Sequence, residues 1–121
     1  MSYIDGFILP LPNGKEEEYR KQAETFARKA SDHGAIGTVE AIGDGLEHGN
    51  VTDFYRAVQA EEGENVVFSF IIWPDKATRD ASWEKLMADP EMQPGVVDMP
   101  FDGKRMFWGG FKPLVNTLDA K

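Results

Sequence analysis

Val66-Val67-Phe68-Ser69-Phe70-Ile71-Ile72-Trp73 is the stretch whose reading decides the fold. Branched and aromatic residues fill it, which favours a pleated strand over a helix. Its two alternating sets, 66/68/70/72 and 67/69/71/73, are both apolar apart from Ser69. A strand apolar on both sides belongs at the centre of a sheet with both faces covered.

Outward from this strand, Pro74-Asp75 opens a helix with Asp75 as its N-cap. Trp83, Leu86 and Met87 supply its apolar contact, and Asp89-Pro90 stops it because a residue before proline avoids the helical region. On the other side, Glu61 to Asn65 reads as an acidic turn and Asp53 to Ala60 as a weaker strand. Asp44 to Asn50 is a polar, glycine-rich loop, and Ile36 to Gly43 alternates as a strand.

The chain begins with a strand over Tyr3–Leu11, where Gly6 marks a bulge or close approach and Pro10 and Pro12 mark the exit. Asn13 then fits an N-cap with Glu16 as its reciprocal partner. Tyr19, Ala23, Phe26, Ala27 and Ala30 form the apolar stripe of a helix reaching His33, and Gly34 suits the left-handed residue that ends it. Pro94-Gly95 is a turn signal, Met99–Phe111 reads as the last strand, and residues 113–121 form a loosely held tail.

The order strand, helix, strand, weak strand, strand, helix, strand predicts an α+β fold. With the weak strand as an extra strand or hairpin, it is the ferredoxin-like β-α-β-β-α-β sandwich in a single domain, 1–121. Two helices cover only one face of an antiparallel sheet. The both-sided strand at 66–73 then requires a second copy on the uncovered face, so a homodimer through the sheet face is expected.

Composition narrows the function classes. The 121 residues suffice for a core without staples, with 41% hydrophobic and 28% charged residues, close to the soluble globular norm. The absence of cysteine rules out disulfides, thiolate metal sites and a cysteine nucleophile. A net charge of −8, from 21 acidic and 13 basic residues, repels phosphate backbones and acidic membranes. Nucleic acid is thus an unfavoured partner, and Lys104-Arg105 with Lys112 makes a poor footprint. No apolar run is long enough to span a membrane and the N-terminus shows no secretory signal, so the chain reads as cytoplasmic.

The sequence resembles the YbaA-like family of small bacterial proteins of unknown function over nearly its whole length. The residues that carry the resemblance are Tyr3-Ile4-Asp5-Gly6-Phe7, Val66-Val67-Phe68-Ser69-Phe70 with Pro74, Met87-Ala88-Asp89-Pro90, Met99 to Met106 and Gly109-Gly110-Phe111. The resemblance implies a ferredoxin-like fold in the dimeric α/β-barrel superfamily, with two sheets face to face, and carries no catalytic assignment. Small monooxygenases and haem-related enzymes in that superfamily are analogies of fold alone.

Candidate ligand-binding residues follow from the strands. Tyr3, Asp5, Phe7 and Leu9 share one face of the first strand; Arg105, Phe107, Gly109 and Phe111 share one face of the last. If the two strands are neighbours, Asp5 and Arg105 either anchor a ligand among aromatics or form a structural ion pair. Tyr3, Tyr55 and Trp108 offer stacking surfaces and Arg56 an anion contact, against a plainer role in core, interface or solvent. Gly109-Gly110 either admits a ligand to bare backbone or lets an aromatic cross the sheet. Ser69 and Glu40 are lone polar residues on strands. His33 and His48 form no metal motif, and no cofactor motif is present, so neither metal nor cofactor is expected. Two functions remain: a homodimeric module that binds a small molecule between sheet faces, or a cofactor-poor, monooxygenase-like enzyme acting on a small aromatic or hydrophobic substrate. An RNA-associated role is third, disfavoured by charge.

Overall fold

The computed structural model describes residues 2–93 and 99–118. Its elements are β1 (Tyr3–Pro12), α1 (Glu16–Asp32), β2 (Gly37–Ile42), a one-turn α2 (Phe54–Ala57), β3 (Glu64–Trp73), α3 (Lys76–Ala88) and β4 (Phe107–Phe111). The four strands form one open antiparallel sheet in the order β2-β3-β1-β4. β3 is therefore central, as its sequence requires, and β1 lies between β3 and β4.

Strand register sorts the side chains into two sets. Tyr3, Asp5, Phe7, Leu9 and Leu11 face the helices with Val67, Ser69, Ile71 and Trp73, since Asp5 pairs with Ile71 and Leu9 with Val67. Trp108 and Gly110 of β4, paired with Phe7 and Asp5, lie on this same side. The core forms here. Ile71 and Trp73 pack with Ala30 of α1 and Leu86 of α3, and Leu9, Leu11 and Val67 pack with Tyr19, Phe101 and Met106.

Both helices are tied down at their ends. Asp75 caps α3 by accepting from the Thr78 backbone N–H at 2.7 Å, and this hydrogen bond holds its carboxyl below the usual range. Lys29 of α1 reaches Asp89 at 2.7 Å and Glu91 at 2.8 Å, joining the two helices where α3 gives way to a tight turn at Pro90–Met92. Gly34 ends α1 at φ +110°, a conformation that favours glycine, and Thr78 crosses close above it.

Several sequence expectations need correction. Residues 53–60 are not an extra strand or hairpin: Asp53 accepts from the Arg56 backbone N–H and thereby caps α2. A side-chain cap at a short-range spacing wins over weak alternation. Asn13 does not cap α1. Helical geometry begins after Lys15, and Glu16 instead accepts from the Gly14 backbone N–H. β1 ends at Pro12, one residue beyond the expected Leu11. β4 pairs with β1 only from Ile4 to Ile8, so both prolines fall where β1 has a neighbour on one side alone. Only Phe107–Phe111 of the expected 99–111 strand is paired, and Asp102–Arg105 is a turn. The Pro94-Gly95 turn lies outside the described residues.

The placement of α3 predicts a sharp contrast between neighbours. Leu86 is buried in the core, whereas Met87 is 71% exposed. Leu86→Ala should lower unfolding stability in urea by about 2–5 kcal/mol, and Met87→Ala should stay within about 0.5 kcal/mol of the parent.

Candidate functional site

Three of the residues singled out in the sequence, Tyr3, Asp5 and Trp108, do meet on the helix side of the sheet. Asp5 is fully buried. Its partner is Arg79 of α3, not Arg105. The Arg79 guanidinium donates to Asp5 through Nη2 at 2.7 Å and Nε at 3.0 Å, and the indole N–H groups of Trp73 and Trp83 donate to Oδ2 at 2.9 and 2.8 Å. Arg79 also lies over the rings of Tyr3 (5.3 Å) and Trp108 (6.0 Å). Asp5 raises the pKa of Arg79 above its ordinary value. A buried carboxylate requires this degree of compensation. With both oxygens bonded to fixed donors, Asp5 is an anchor for α3.

Gly110 belongs to this arrangement. A Cβ there would stand 2.8 Å from the Tyr3 ring and 3.0 Å from Arg79 Nη2, so the glycine lets the aromatic and the guanidinium cross the sheet. A signal for Arg79 was present in the sequence: Arg79, Trp83 and Leu86 recur at the spacing of one helix stripe, and an arginine on a buried stripe needs a carboxylate.

Arg105 sits elsewhere. Its fork grips Glu64 at 2.6 and 2.8 Å, its Nε donates to Asp102 at 3.0 Å, and Nη1 also reaches the Gln59 carbonyl at 3.0 Å. It thereby pins the turn before β4 to the start of β3 and to the segment after α2. Tyr55 and Arg56 form a third place, separate from both. Tyr55 stacks on His48 at 4.7 Å, and Arg56 approaches Asp53 at 3.5 Å. The six candidates thus divide into three groups and do not line one pocket.

Two further features were not foreseen as a unit. Tyr19 of α1 donates to Glu40 of β2 at 2.6 Å, and Ser69, buried, lies opposite Glu40 across the β2–β3 ladder. Desolvation raises the Glu40 carboxyl above its usual range, while hydrogen bonds from Tyr19 and Ser69 pull it back. The second is the far side of the sheet. Val39, Phe68, Phe107 and Phe111 stand there between 44% and 63% exposed, with Ile4, Ile8, Phe70 and Ile72 among them. Among the described residues, no cluster of three or more metal-ligating side chains forms, and no helix is long and apolar enough to cross a membrane.

Two outcomes follow from the ion pairs. Arg79→Met leaves the Asp5 carboxylate buried without its counter-charge and should cost about 3–5 kcal/mol in urea unfolding. Arg105 holds the Glu64 carboxyl below its usual range. That contribution is present above the ordinary glutamate pKa and lost as pH falls through the lowered folded value. The stability gap between the parent and Glu64→Gln should therefore be widest near neutrality and close as pH falls below the ordinary glutamate pKa.

The family described as "Protein of unknown function (DUF1428)" matches residues 2–103. The "Uncharacterized protein YbaA" of Escherichia coli strain K12 is 45% identical over 116 residues, 96% of this chain and 99% of the relative. The protein of the same name from Shigella flexneri matches to the same extent. Among solved structures, the de novo designed protein Foldit4 covers 93% of this chain and 99% of its own, at 11% identity and a TM-score of 0.48. With a family match over residues 2–103 and 45% identity to a relative over 96% of this sequence, the chain belongs to the YbaA-like family of unknown function, DUF1428.

Proposed function

We propose that the protein works as a homodimeric module in which the open sheet faces of two copies pack together, in the ferredoxin-like manner of the dimeric α/β barrels. The observation that carries this reading is the apolar far side of the sheet. α1 and α3 both lie on the other side, and the order β2-β3-β1-β4 with these two crossover helices suits the ferredoxin-like plan.

Three rows cross the open face. They run Gly37–Ile72–Ile4–Phe111, Val39–Phe70–Gly6–Gly109 and Ala41–Phe68–Ile8–Phe107. None of these twelve positions carries a charge. A continuous apolar surface of this kind is a partner surface in an otherwise acidic protein, and a second copy brings a matching one by two-fold symmetry. Gly6 and Gly109 pair at the centre, leaving a shallow hollow over bare backbone. A small molecule held between the faces would meet phenylalanine edges and this hollow, and would therefore be apolar. The role is binding and self-association; none of these twelve positions offers an acid, base or nucleophile.

Sedimentation of the wild-type chain should show a dimer at micromolar concentration. Phe68→Glu, which sets a charge at the middle of β3, should weaken association by about 100-fold or more while leaving the helix-side core intact. A monomeric wild type at tens of micromolar, or a Phe68→Glu protein that dimerises unchanged, contradicts the reading.

A further inference from the structure

The side of the sheet away from this interface holds a cleft that packing leaves open. α1 turns Tyr19, Ala23 and Ala27 toward the edge strand β2, one residue per turn. The two alanines are too short to reach the strand. Across the gap stand Thr38, Glu40 and Ile42, and Leu11 and Val67, both buried, form the floor. The space amounts to about 400 Å³. The cleft opens to solvent along Glu16, Arg20, Glu24, Glu40 and Ile42, and this volume lies in the range of small-molecule sites.

Charge tells what such a molecule would carry. Glu40 makes no ion pair with any described residue; its hydrogen-bond partner is the Tyr19 hydroxyl at 2.6 Å. The Tyr19 ring is held in turn by the edge of Phe101 at 5.9 Å and by the Leu9–Leu11–Val67 cluster. The carboxylate is thus hydrogen-bonded at the wall of an apolar-floored cleft and makes no direct ion pair with a described residue. Glu16 and Glu24 on the rim add negative potential, and the rim's Arg20 is engaged by Glu17 at 3.2 Å. The net charge of −8 favours the approach of cations over anions.

We infer that the α1–β2 cleft binds a small apolar molecule bearing one protonated amine, with Glu40 as the counter-charge and Tyr19 as the residue that positions it. The apolar body lies on Leu11 and Val67 in the space left by Ala23 and Ala27; the ammonium donates to Glu40. This site is independent of the dimer, because it lies on the helix side of the sheet.

Titration with 2-phenylethylammonium, followed through backbone amide resonances, tests the inference against two molecules of similar shape: neutral 2-phenylethanol and anionic 3-phenylpropanoate. The ammonium should bind, with shifts concentrated at Thr38–Ile42 and Tyr19–Ala27, and the alcohol and carboxylate should bind at least about tenfold more weakly. Glu40→Gln should weaken the ammonium about tenfold or more. Ala23→Leu, which fills the cleft and leaves Glu40 in place, should abolish binding while preserving the spectrum of a folded chain. Equal binding of the alcohol, unchanged binding by either variant, or no shifts up to about 10 mM ammonium overturns it.

Discussion

The structure depends on a sheet that is covered on one side only. Four strands fix two sets of side chains by their pleat, and the two long helices serve one set. The other set is nearly as apolar: along β3, Phe68, Phe70 and Ile72 alternate with the buried Val67, Ile71 and Trp73. A strand with this composition has no soluble side. The isolated chain therefore presents a hydrophobic surface to which β3 contributes Phe68, Phe70 and Ile72, within an otherwise acidic protein.

On the covered side, one polar node sets the position of α3. Asp5 carries a charge into the core, which is tolerable only because Arg79 and the indoles of Trp73 and Trp83 converge on it. Each donor comes from a different place in the chain: the end of β3 and two adjacent turns of α3. The node thus links sheet and helix with directional bonds, where the surrounding Phe7, Phe26 and Leu86 supply area without direction. Gly110 completes it by clearing space for Tyr3 and Arg79. The Arg105–Glu64 fork does similar work at the opposite end of β1 and β3, where it ties the turn before β4 to the start of β3. Two arginines, one per end, hold the pleat's edges to the elements that follow them.

Much of this was legible in the residues. The composition of 66–73 identified the central strand, Asp75 and Asp89-Pro90 bounded α3, Gly34 ended α1, and the neighbouring of β1 and β4 followed from the plan of the fold. The alternation of β1 grouped Asp5 with Tyr3, Phe7 and Leu9 correctly. What it could not supply was the side on which that group falls, because period-two alternation is blind to a choice between two apolar faces. The sequence places Asp5 beside Arg105, as ligand anchor or ion pair, only if register allows; the ladder ends before Arg105, and the cation at Asp5 comes from α3. The segment 53–60 misled for a different reason: one hydrogen bond, from the Arg56 backbone to Asp53, decides a one-turn helix that alternation cannot see. The cleft was invisible because Ala23 and Ala27 look like ordinary stripe residues until the distance between α1 and β2 is known.

The central claim is that the open face is buried against a second copy. A soluble gadolinium chelate broadens the resonances of groups that water reaches, so it measures this face directly in the native protein. At a concentration of about 100 μM, well above the Kd of a stable small dimer, the aromatic and methyl signals of Val39, Phe68 and Phe107 should be protected, although these residues are 44–46% exposed in a single chain. Met87, on the outer side of α3, should be broadened under the same conditions. Broadening of Val39, Phe68 and Phe107 to the extent seen for Met87 would show a wet face and contradict the account.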